Sequence, residues 1–287
     1  MTRCGDLVLE LTNRLRAAGV SSPHLDARLL VCHALGIERS ALFSHPERIL
    51  APAERAAIDQ LAQRRLGREP MSHVLGRREF WSLDFRVTAD TLDPRPDTET
   101  VVEAALDYTR DRTRPWRVLD FGTGSGCILL SLLTELPQAT GVGVDIGAAT
   151  LAVAADNARR LGLADRVRFV QGDWGAGVDG SFDLIVSNPP YIPDGDIAGL
   201  EAEVARFEPR RALAGGPDGL DCYRVLAPQI ARLLVPGGEA ALEVGLGQDP
   251  MVAALLEQAG LALRGVRRDL AGIARVVVAG KPRVEKV

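Results

Sequence analysis

Residues 116–126 read Trp-Arg-Val-Leu-Asp-Phe-Gly-Thr-Gly-Ser-Gly, an apolar run that passes directly into a glycine-rich loop. Glycines at such a point allow a tight turn and let a ligand approach the backbone at the start of a helix. Strand-like and helical patterns alternate along the rest of the chain. Strands are predicted at 116–121, 140–145, 166–170, 182–187 and 239–245, with a final pair at 261–268 and 273–279. This alternation predicts an α/β domain with a mostly parallel sheet and helices on both faces.

The loop Gly122–Gly126 differs from the dinucleotide fingerprint G-x-G-x-x-G, because its third glycine comes one residue early and Cys127 occupies the last position. Asp120 precedes the loop, and a carboxylate there disfavours phosphate but suits a cationic ligand. Asp145 ends the next predicted strand, where a carboxylate can bind ribose hydroxyls. The pattern indicates a binder of S-adenosylmethionine, which has a ribose, an ammonium and a sulfonium but no phosphate. Trp174 follows the third strand and either holds the adenine or packs on the sheet edge.

The apolar run Phe182–Ser187 predicts a buried parallel strand, and it ends in Asn188-Pro189-Pro190-Tyr191. The two prolines fix φ and remove two N–H donors, which stiffens the loop and leaves its carbonyls facing outward. The Asn188 oxygen and the Pro189 carbonyl can accept the two N–H bonds of a planar nitrogen and aim it at a methyl donor. Tyr191 can pack against the planar group and the sulfonium. Asn188, Pro189 and Tyr191 are therefore the predicted catalytic residues, the alternative being a loop that only ends a strand.

The chain divides into three predicted ranges. Residues 1–75 read as short helices that form a small domain for support or partner recognition, and residues 76–96 as a linker with a β-hairpin. Residues 97–287 form the predicted S-adenosylmethionine-dependent methyltransferase domain. Arg95 either reaches a ligand or is an exposed linker arginine, and the loop 195–221 either closes over the substrate or merely connects two elements.

Composition excludes several classes of function. The 287 residues have a formal net charge of -4, which argues against broad electrostatic binding of nucleic acid. The four cysteines and four histidines are scattered without metal-ligand spacing, so no metal is expected. No signal layout or membrane-length apolar run is present, so we expect a cytoplasmic protein that does not bind a membrane. A monomer is also expected.

The motifs together resemble one family, the peptide chain release factor glutamine methyltransferases (PrmC/HemK-like). The resemblance spans essentially the whole chain. It rests on Arg68-Glu69-Pro70, Leu75-Gly76, Arg78-Glu79-Phe80-Trp81, Pro94 to Glu99, the glycine loop, Asp145, Asn157-Ala158, Ser187 to Ile192, Phe207-Glu208-Pro209 and Pro236-Gly237-Gly238. It implies a Rossmann-like class I methyltransferase fold with a small N-terminal all-α domain that helps to grip the substrate. It also implies methylation of the glutamine side-chain amide in the Gly-Gly-Gln loop of bacterial release factors, with S-adenosylhomocysteine as the other product.

Carried over position by position, the resemblance assigns two sets of residues. The cofactor contacts fall on Gly122, Thr123, Gly124, Ser125, Gly126, Asp145, Trp174 and Asn188. The substrate glutamine falls on Asn188, Pro189, Pro190 and Tyr191. Three positions depart from the family pattern: Asp93, where an apolar residue is usual, Cys127, where alanine is common, and Ala274, where an acid is often found.

Three alternatives remain open from the sequence. The acceptor could be a glutamine of another translation protein, such as a ribosomal protein. It could be an amino group on a nucleobase, although this acidic chain offers no basic target-recognition segment. A non-catalytic adaptor would be expected to have a damaged glycine loop or Asn-Pro-Pro-Tyr motif, and both are intact.

Overall fold

The alternation of strands and helices after Trp116 builds a seven-stranded sheet in the computed structural model, which describes residues 2–283. The strands are β1 (Arg77–Phe80), β2 (Leu83–Arg86), β3 (Arg117–Phe121), β4 (Thr140–Asp145), β5 (Val167–Gln171), β6 (Phe182–Ser187), β7 (Leu234–Glu243), β8 (Ala262–Arg268) and β9 (Ala274–Gly280). The helices are α1 (Cys4–Ala17), α2 (Pro23–Leu35), α3 (Arg39–Ser44), α4 (Pro52–Leu66), α5 (Met71–Leu75), α6 (Glu99–Tyr108), α7 (Cys127–Glu135), α8 (Ala148–Arg160), α9 (Ala202–Phe207), α10 (Asp221–Leu233) and α11 (Asp249–Gln258).

The sheet has the strand order β5-β4-β3-β6-β7-β9-β8, while β1 and β2 form a separate antiparallel hairpin. Neighbours from β5 to β7 are parallel, and β9 pairs antiparallel with both β7 and β8. This arrangement confirms the predicted α/β class with a mostly parallel sheet. It also places β9, which follows β8 in the sequence, between β7 and β8, so that β8 and β9 form a hairpin added to the parallel part of the sheet.

Both faces of the sheet are covered, which explains why β6 is buried along its whole length. On one face α6 and α7 supply Val102 and Leu129, both with no exposed surface. On the other face α10 and α11 supply Ile230 and Val252, again with none. Strands buried on both sides read as continuous apolar runs rather than as alternating ones, and the sequence of β6 has this pattern.

The order of the strands reverses at β3, which lies between β4 and β6. Phe121 at the end of β3 is in register with Ser187 at the end of β6 and with Val144 near the end of β4. Loops that leave these strands therefore meet at one edge of the sheet. In open α/β sheets this crevice, where the strand order switches, is the usual ligand site.

The chain separates into two compact units. One consists of the residues up to Gly76 together with 201–207, and the other of 77–200 and the residues from Glu208 onward. The predicted ranges 1–75, 76–96 and 97–287 did not single out 201–207. Residue 1 and residues 284–287, at the ends of two of these ranges, lie outside the described residues.

The first unit is helical, with a core that includes the predicted apolar positions Leu7, Leu11 and Leu15. Helix α9 belongs to this unit and is held by an ion-pair cluster. The carboxylate of Glu203 accepts bonds from Arg65 Nη1 at 2.9 Å and from Arg68 Nε at 2.7 Å, and Arg65 Nε also donates to Asp26 at 2.7 Å. These charges explain why a segment distant in sequence groups with the N-terminal helices.

One strand boundary differs clearly from the prediction. Strand β7 runs over Leu234–Glu243 instead of 239–245, because Pro236-Gly237-Gly238, which reads as a turn, continues the strand. The pairing of β6 with β7 absorbs this irregularity as a register shift between Phe182 and Leu184. Strand β7 ends at Glu243, whose carboxylate lies close to Tyr191 of the Asn-Pro-Pro-Tyr motif.

Within residues 2–283, no helix is both long enough and apolar enough to span a membrane.

Candidate active site

A cavity of about 240 Å³ opens at the edge of the sheet where β3, β4 and β6 end. Among the residues singled out from the sequence, the cavity is lined by Gly122, Gly124, Asp145, Trp174, Asn188 and Pro190. The loops that follow four different strands thus contribute to one space. Thr123, Ser125, Gly126, Pro189 and Tyr191 are not part of its lining.

The glycine loop is shaped by backbone conformations that favour glycine. Gly122, Gly124 and Gly126 have φ values of 66°, 56° and 83°, in the left-handed region where a Cβ is costly. A Cβ on Gly122 would lie 3.6 Å from the ring of Trp174, so the ring faces the loop closely. Thr123 N donates to the Val144 carbonyl at 2.9 Å. Thr123 therefore fixes the loop to β4 instead of lining the cavity.

The carboxylate of Asp145 is held by backbone donors on both sides. Its Oδ2 accepts a bond from Gly124 N at 3.1 Å, and its Oδ1 accepts one from Gly147 N at 2.9 Å. Each carboxylate oxygen can accept more than one bond, so both remain capable of binding hydroxyl groups. Asp145 is thus a fixed acceptor that lines the cavity.

Asp120 is a buried carboxyl at the base of the glycine loop, with 1% of its surface exposed. Burial raises the pKa of Asp120 to about 7, a hydrogen bond from Thr123 partly offsets the rise, and the nearby charge of Asp145 adds to it. Its Oδ2 accepts the Thr123 hydroxyl at 2.7 Å, while its Oδ1 has no partner among the described residues. An unpaired buried carboxylate oxygen favours a nearby positive charge.

The four residues of the Asn-Pro-Pro-Tyr motif occupy different environments. Asn188 Nδ2 donates to Thr98 Oγ1 at 3.1 Å, and Asn188 and Pro190 line the cavity. Pro189 is buried beneath the loop surface. Tyr191 packs against the core of the sheet, its hydroxyl lies 3.4 Å from Glu243 Oε1, and burial raises its pKa well above the usual range.

The backbone after the motif is fastened to a later part of the chain. Ile192 N donates to Leu213 O at 3.0 Å, and Gly215 N donates to Ile192 O at 2.9 Å. Gln248 Nε2 donates to the Tyr191 carbonyl at 2.9 Å. The two bonds of Ile192 hold residues 213 and 215 of the predicted loop 195–221 beside the motif. Arg211, Ala212 and Ala214 of the same loop line the cavity. Whether this loop closes over a substrate stays a prediction.

Several lining residues were missed by sequence reasoning, including Asp90, Leu92, Thr150, Arg211 and Cys222. Thr150 Oγ1 donates to the Asp90 carbonyl at 2.9 Å and lies 3.1 Å from Arg211 Nη2. These residues come from segments far apart in sequence, and no local pattern marks them.

Asn157 was quoted only as part of a motif, but it supports the site. Its buried amide donates to the carbonyls of Ser125 at 2.9 Å and Arg86 at 3.0 Å, and accepts from Arg86 N at 2.8 Å. A polar residue on the otherwise apolar face of a helix was the available signal. Asn157 thereby ties the glycine loop to β2.

Arg95, for which the sequence left two interpretations, forms an ion pair with Glu208. The side chain of Glu208 is almost fully buried; burial raises its pKa, and Arg95 partly offsets that rise. Of the departures from the family pattern, Asp93 is buried and its Oδ1 lies 3.8 Å from Arg78 Nε without a hydrogen bond. Burial raises the pKa of the Cys127 thiol to about 12. Cys127 is therefore a structural thiol at the start of α7.

No group of three or more His, Cys, Asp and Glu side chains within residues 2–283 is arranged to hold a metal ion.

Comparisons with known proteins agree with this geometry. Residues 6–76 match a family described as the PrmC N-terminal domain, and residues 113–251 match a methyltransferase domain. The fold resembles that of a methyltransferase from Pyrococcus furiosus, with a TM-score of 0.52 and 18% identity over 70% of this chain and 89% of the other.

Two curated relatives are much closer in sequence. The release factor glutamine methyltransferase of Rhodospirillum rubrum is 53% identical, over 93% of this chain and 81% of that protein. The enzyme of the same name from Bradyrhizobium diazoefficiens is 49% identical, over 94% of this chain and 92% of that protein. Identity of this extent confirms the resemblance drawn from the motifs. The chain belongs to the family of release factor glutamine methyltransferases.

Proposed function

We propose that this chain transfers a methyl group from S-adenosylmethionine to the glutamine side-chain amide in the Gly-Gly-Gln loop of peptide chain release factors. The observation that carries the proposal is the shared cavity of Asp145 and Asn188. A predicted acceptor for ribose hydroxyls and a predicted acceptor for an amide N–H thus lie around one space, at the switch in strand order. The names of the curated relatives support the choice of substrate.

The residues present fit the cofactor. Asp145 would hold the ribose hydroxyls, the ring of Trp174 would contact the adenine, and the positive φ of Gly122 lets the backbone approach closely. The buried Asp120 becomes negatively charged as pH rises through about 7, and one of its oxygens has no partner beneath the loop, which suits a ligand carrying an ammonium and a sulfonium. Thr123, Ser125 and Gly126 would act by shaping the loop.

The acceptor nitrogen needs orientation more than activation. An amide nitrogen is a poor nucleophile because its lone pair is delocalised over the carbonyl. Asn188 Oδ1 and the Pro189 carbonyl would accept its two N–H bonds and point the nitrogen at the methyl group that S-adenosylmethionine supplies. Such orientation can contribute roughly 7–11 kcal/mol. Pro190, which lines the cavity, would contact the planar amide, and Tyr191 would support the motif from the core side.

The proposed partners follow from this reaction. Release factors would be the protein substrates, with the helical unit assisting in their recognition. The expectations of a monomer, of a cytoplasmic location and of no direct binding to nucleic acid or membranes stay predictions.

The test is transfer of labelled methyl from S-adenosylmethionine to a purified bacterial release factor, followed by mass spectrometry of the Gly-Gly-Gln peptide. We expect one added methyl on that glutamine. A release factor with Gly-Gly-Ala in place of Gly-Gly-Gln is the matched control and should take no label. Label that appears only on another translation protein would contradict the proposed substrate.

A further inference from the structure

We propose that Glu243 and Thr98 are positioning residues that fix the orientation of the Asn188 amide, so that its oxygen faces the acceptor nitrogen. This inference rests on the proposed function, because it assigns a reason for the geometry of Asn188 in that reaction. Thr98 and Glu243 are far apart in the sequence of the unit that holds the sheet, and neither lines the cavity.

The three side chains form a chain of polar contacts behind the motif. Asn188 Nδ2 donates to Thr98 Oγ1 at 3.1 Å, and the Tyr191 hydroxyl lies 3.4 Å from Glu243 Oε1. Thr98 is also close enough to Glu243 for its hydroxyl to lower the pKa of that carboxyl, and the bond between them is part of this inference. Thr98 and Glu243 each expose only 2% of their surface. Because Thr98 and Glu243 are sealed from water, their hydrogen-bond partners must be protein groups.

Proton counting then fixes the direction of each bond. An ionised carboxylate can only accept hydrogen bonds, and a threonine hydroxyl has a single proton to donate. When Thr98 gives that proton to Glu243, its oxygen can only accept a bond from Asn188. Only the NH₂ half of the Asn188 amide can donate such a bond. The Oδ1 half is consequently turned away from Thr98 and is free to accept an N–H of the substrate.

The backbone around Glu243 is also fixed. The Tyr223 hydroxyl donates to the Glu243 carbonyl at 2.7 Å, and the Tyr191 hydroxyl lies 3.4 Å from Glu243 Oε1. Oε2 of Glu243 has no hydrogen-bond partner among the described residues. A rigid carboxylate that still has acceptor capacity is suited to take the proton of Thr98.

The charged groups facing Glu243 act in both directions. Burial has the largest effect and raises the pKa of Glu243 to about 7, while Thr98, Tyr191 and Arg275 lower it and Asp97 raises it. Arg275 is itself paired with Asp97 and Asp269, each at 2.8 Å. If Glu243 were protonated, the Thr98 hydroxyl would no longer be drawn to it and could donate its hydrogen bond to Asn188 Oδ1 instead. The amide would turn and present N–H groups to the N–H groups of the substrate.

Four variants test the inference in the methylation assay at saturating S-adenosylmethionine. Glu243→Gln and Thr98→Val should each lower kcat by roughly 100-fold, as expected for a small misplacement of a reacting group. The affinity for the cofactor should stay near wild type, and each variant should be folded at the assay temperature. Thr98→Ser keeps the hydroxyl and should restore most of kcat. Glu239→Gln, the same substitution in the middle of β7, should leave activity unchanged.

A pH profile supplies a readout that a purely structural role would not move. The wild-type kcat should rise as pH increases through about 7, and this limb should be lost in Glu243→Gln. Comparison of the two proteins removes contributions from other groups, including Asp120. The double variant Glu243→Gln/Thr98→Val should be little worse than either single variant, because the two residues act through one bond.

The outcomes separate the two proposals. If the wild type is active and both Glu243→Gln and Thr98→Val keep its kcat, this inference alone is overturned. The same holds if kcat of Thr98→Ser is as low as that of Thr98→Val. Absence of label from the wild type would overturn the proposed function and this inference with it. If Glu243→Gln fails to fold, the difference between Thr98→Val and Thr98→Ser still decides.

Discussion

Asn188 and Asp145 have separate tasks in the proposed reaction, although both line the same cavity. Asp145 is fixed by two backbone donors before any ligand arrives. Asn188 is fixed through its NH₂ group, which leaves its oxygen for the acceptor. Substitution of Asn188 should therefore lower kcat, and substitution of Asp145 should weaken cofactor binding.

Asn188→Ala should lower kcat by roughly 10²–10³, the cost seen when one group that orients or stabilises a transition state is removed. The dissociation constant for S-adenosylmethionine, measured by calorimetry, should change little. Gln258→Ala removes an exposed amide on α11 and is the matched control for activity. A fully active Asn188→Ala variant would contradict the role assigned to the amide oxygen.

Asp145→Ala should instead weaken cofactor binding by roughly 10- to 100-fold, because hydrogen bonds to a charged group are worth about 1.5–3 kcal/mol. Calorimetric titration with S-adenosylmethionine measures this directly. The exposed Asp165 provides the control variant Asp165→Ala. If both variants bind the cofactor alike, Asp145 does not hold the ribose.

Among the elements, α9 has the least expected place, since it groups with the N-terminal helices. The Glu203 carboxylate binds two arginines, and together these lower its pKa to about 2 against the opposing effect of burial. Its side chain is only 13% exposed. The segment 201–207 is therefore held to its unit mainly by charge, because none of its residues is buried.

Glu203→Gln should loosen α9, at a cost of roughly 1–3 kcal/mol for weakening charge-assisted bonds to buried donors. Amide hydrogen exchange of residues 202–207 should become faster, while exchange in α1 and α2 changes little. Glu201→Gln, at an exposed position of the same segment, is the control. Equal exchange in both variants would show that the ion pairs do not hold the helix.

Prediction of the elements from sequence succeeded where local pattern decides the structure. The continuous apolar run 182–187 and the glycine loop after Phe121 place the two site-forming loops correctly. The start of β7 was wrong because Pro236-Gly237-Gly238 has turn chemistry, and a register shift in the sheet overrides it. The contact between Thr98 and Asn188 spans 90 positions, and one sequence contains no signal for such pairing.

At the scale of the whole molecule, two fully buried carboxyls influence stability in an unusual direction. Burial raises the pKa of both Asp120 and Glu243 to about 7 from ordinary values of 3.8 and 4.5. Between about pH 4.5 and 7 the folded protein thus keeps protons that the unfolded chain has released. Stability must fall as pH rises through this window.

The melting temperature of the methyltransferase unit should accordingly be higher near pH 5.5 than near pH 7.5, with each carboxyl contributing on the order of 1–3 kcal/mol. Glu203 has a lowered pKa, so its contribution to folding stability is complete above about pH 4.5 and is lost only towards pH 2. Calorimetry at a series of pH values should show a flatter dependence for Glu243→Gln than for Glu257→Gln, an exposed control. A wild-type stability that rises from pH 5 to 7 would contradict the assignment.

The position of β9 has a consequence for how the protein is made. Among the described residues β9 is the last strand, yet it pairs with β7, the strand that carries Glu243. Until residues 274–280 have left the ribosome, β7 presents an unpaired edge, which is the kind of surface on which chains aggregate. A nascent chain that already contains every proposed site residue therefore still has an incomplete sheet. Competence for methyl transfer should appear only when synthesis has reached the final strand.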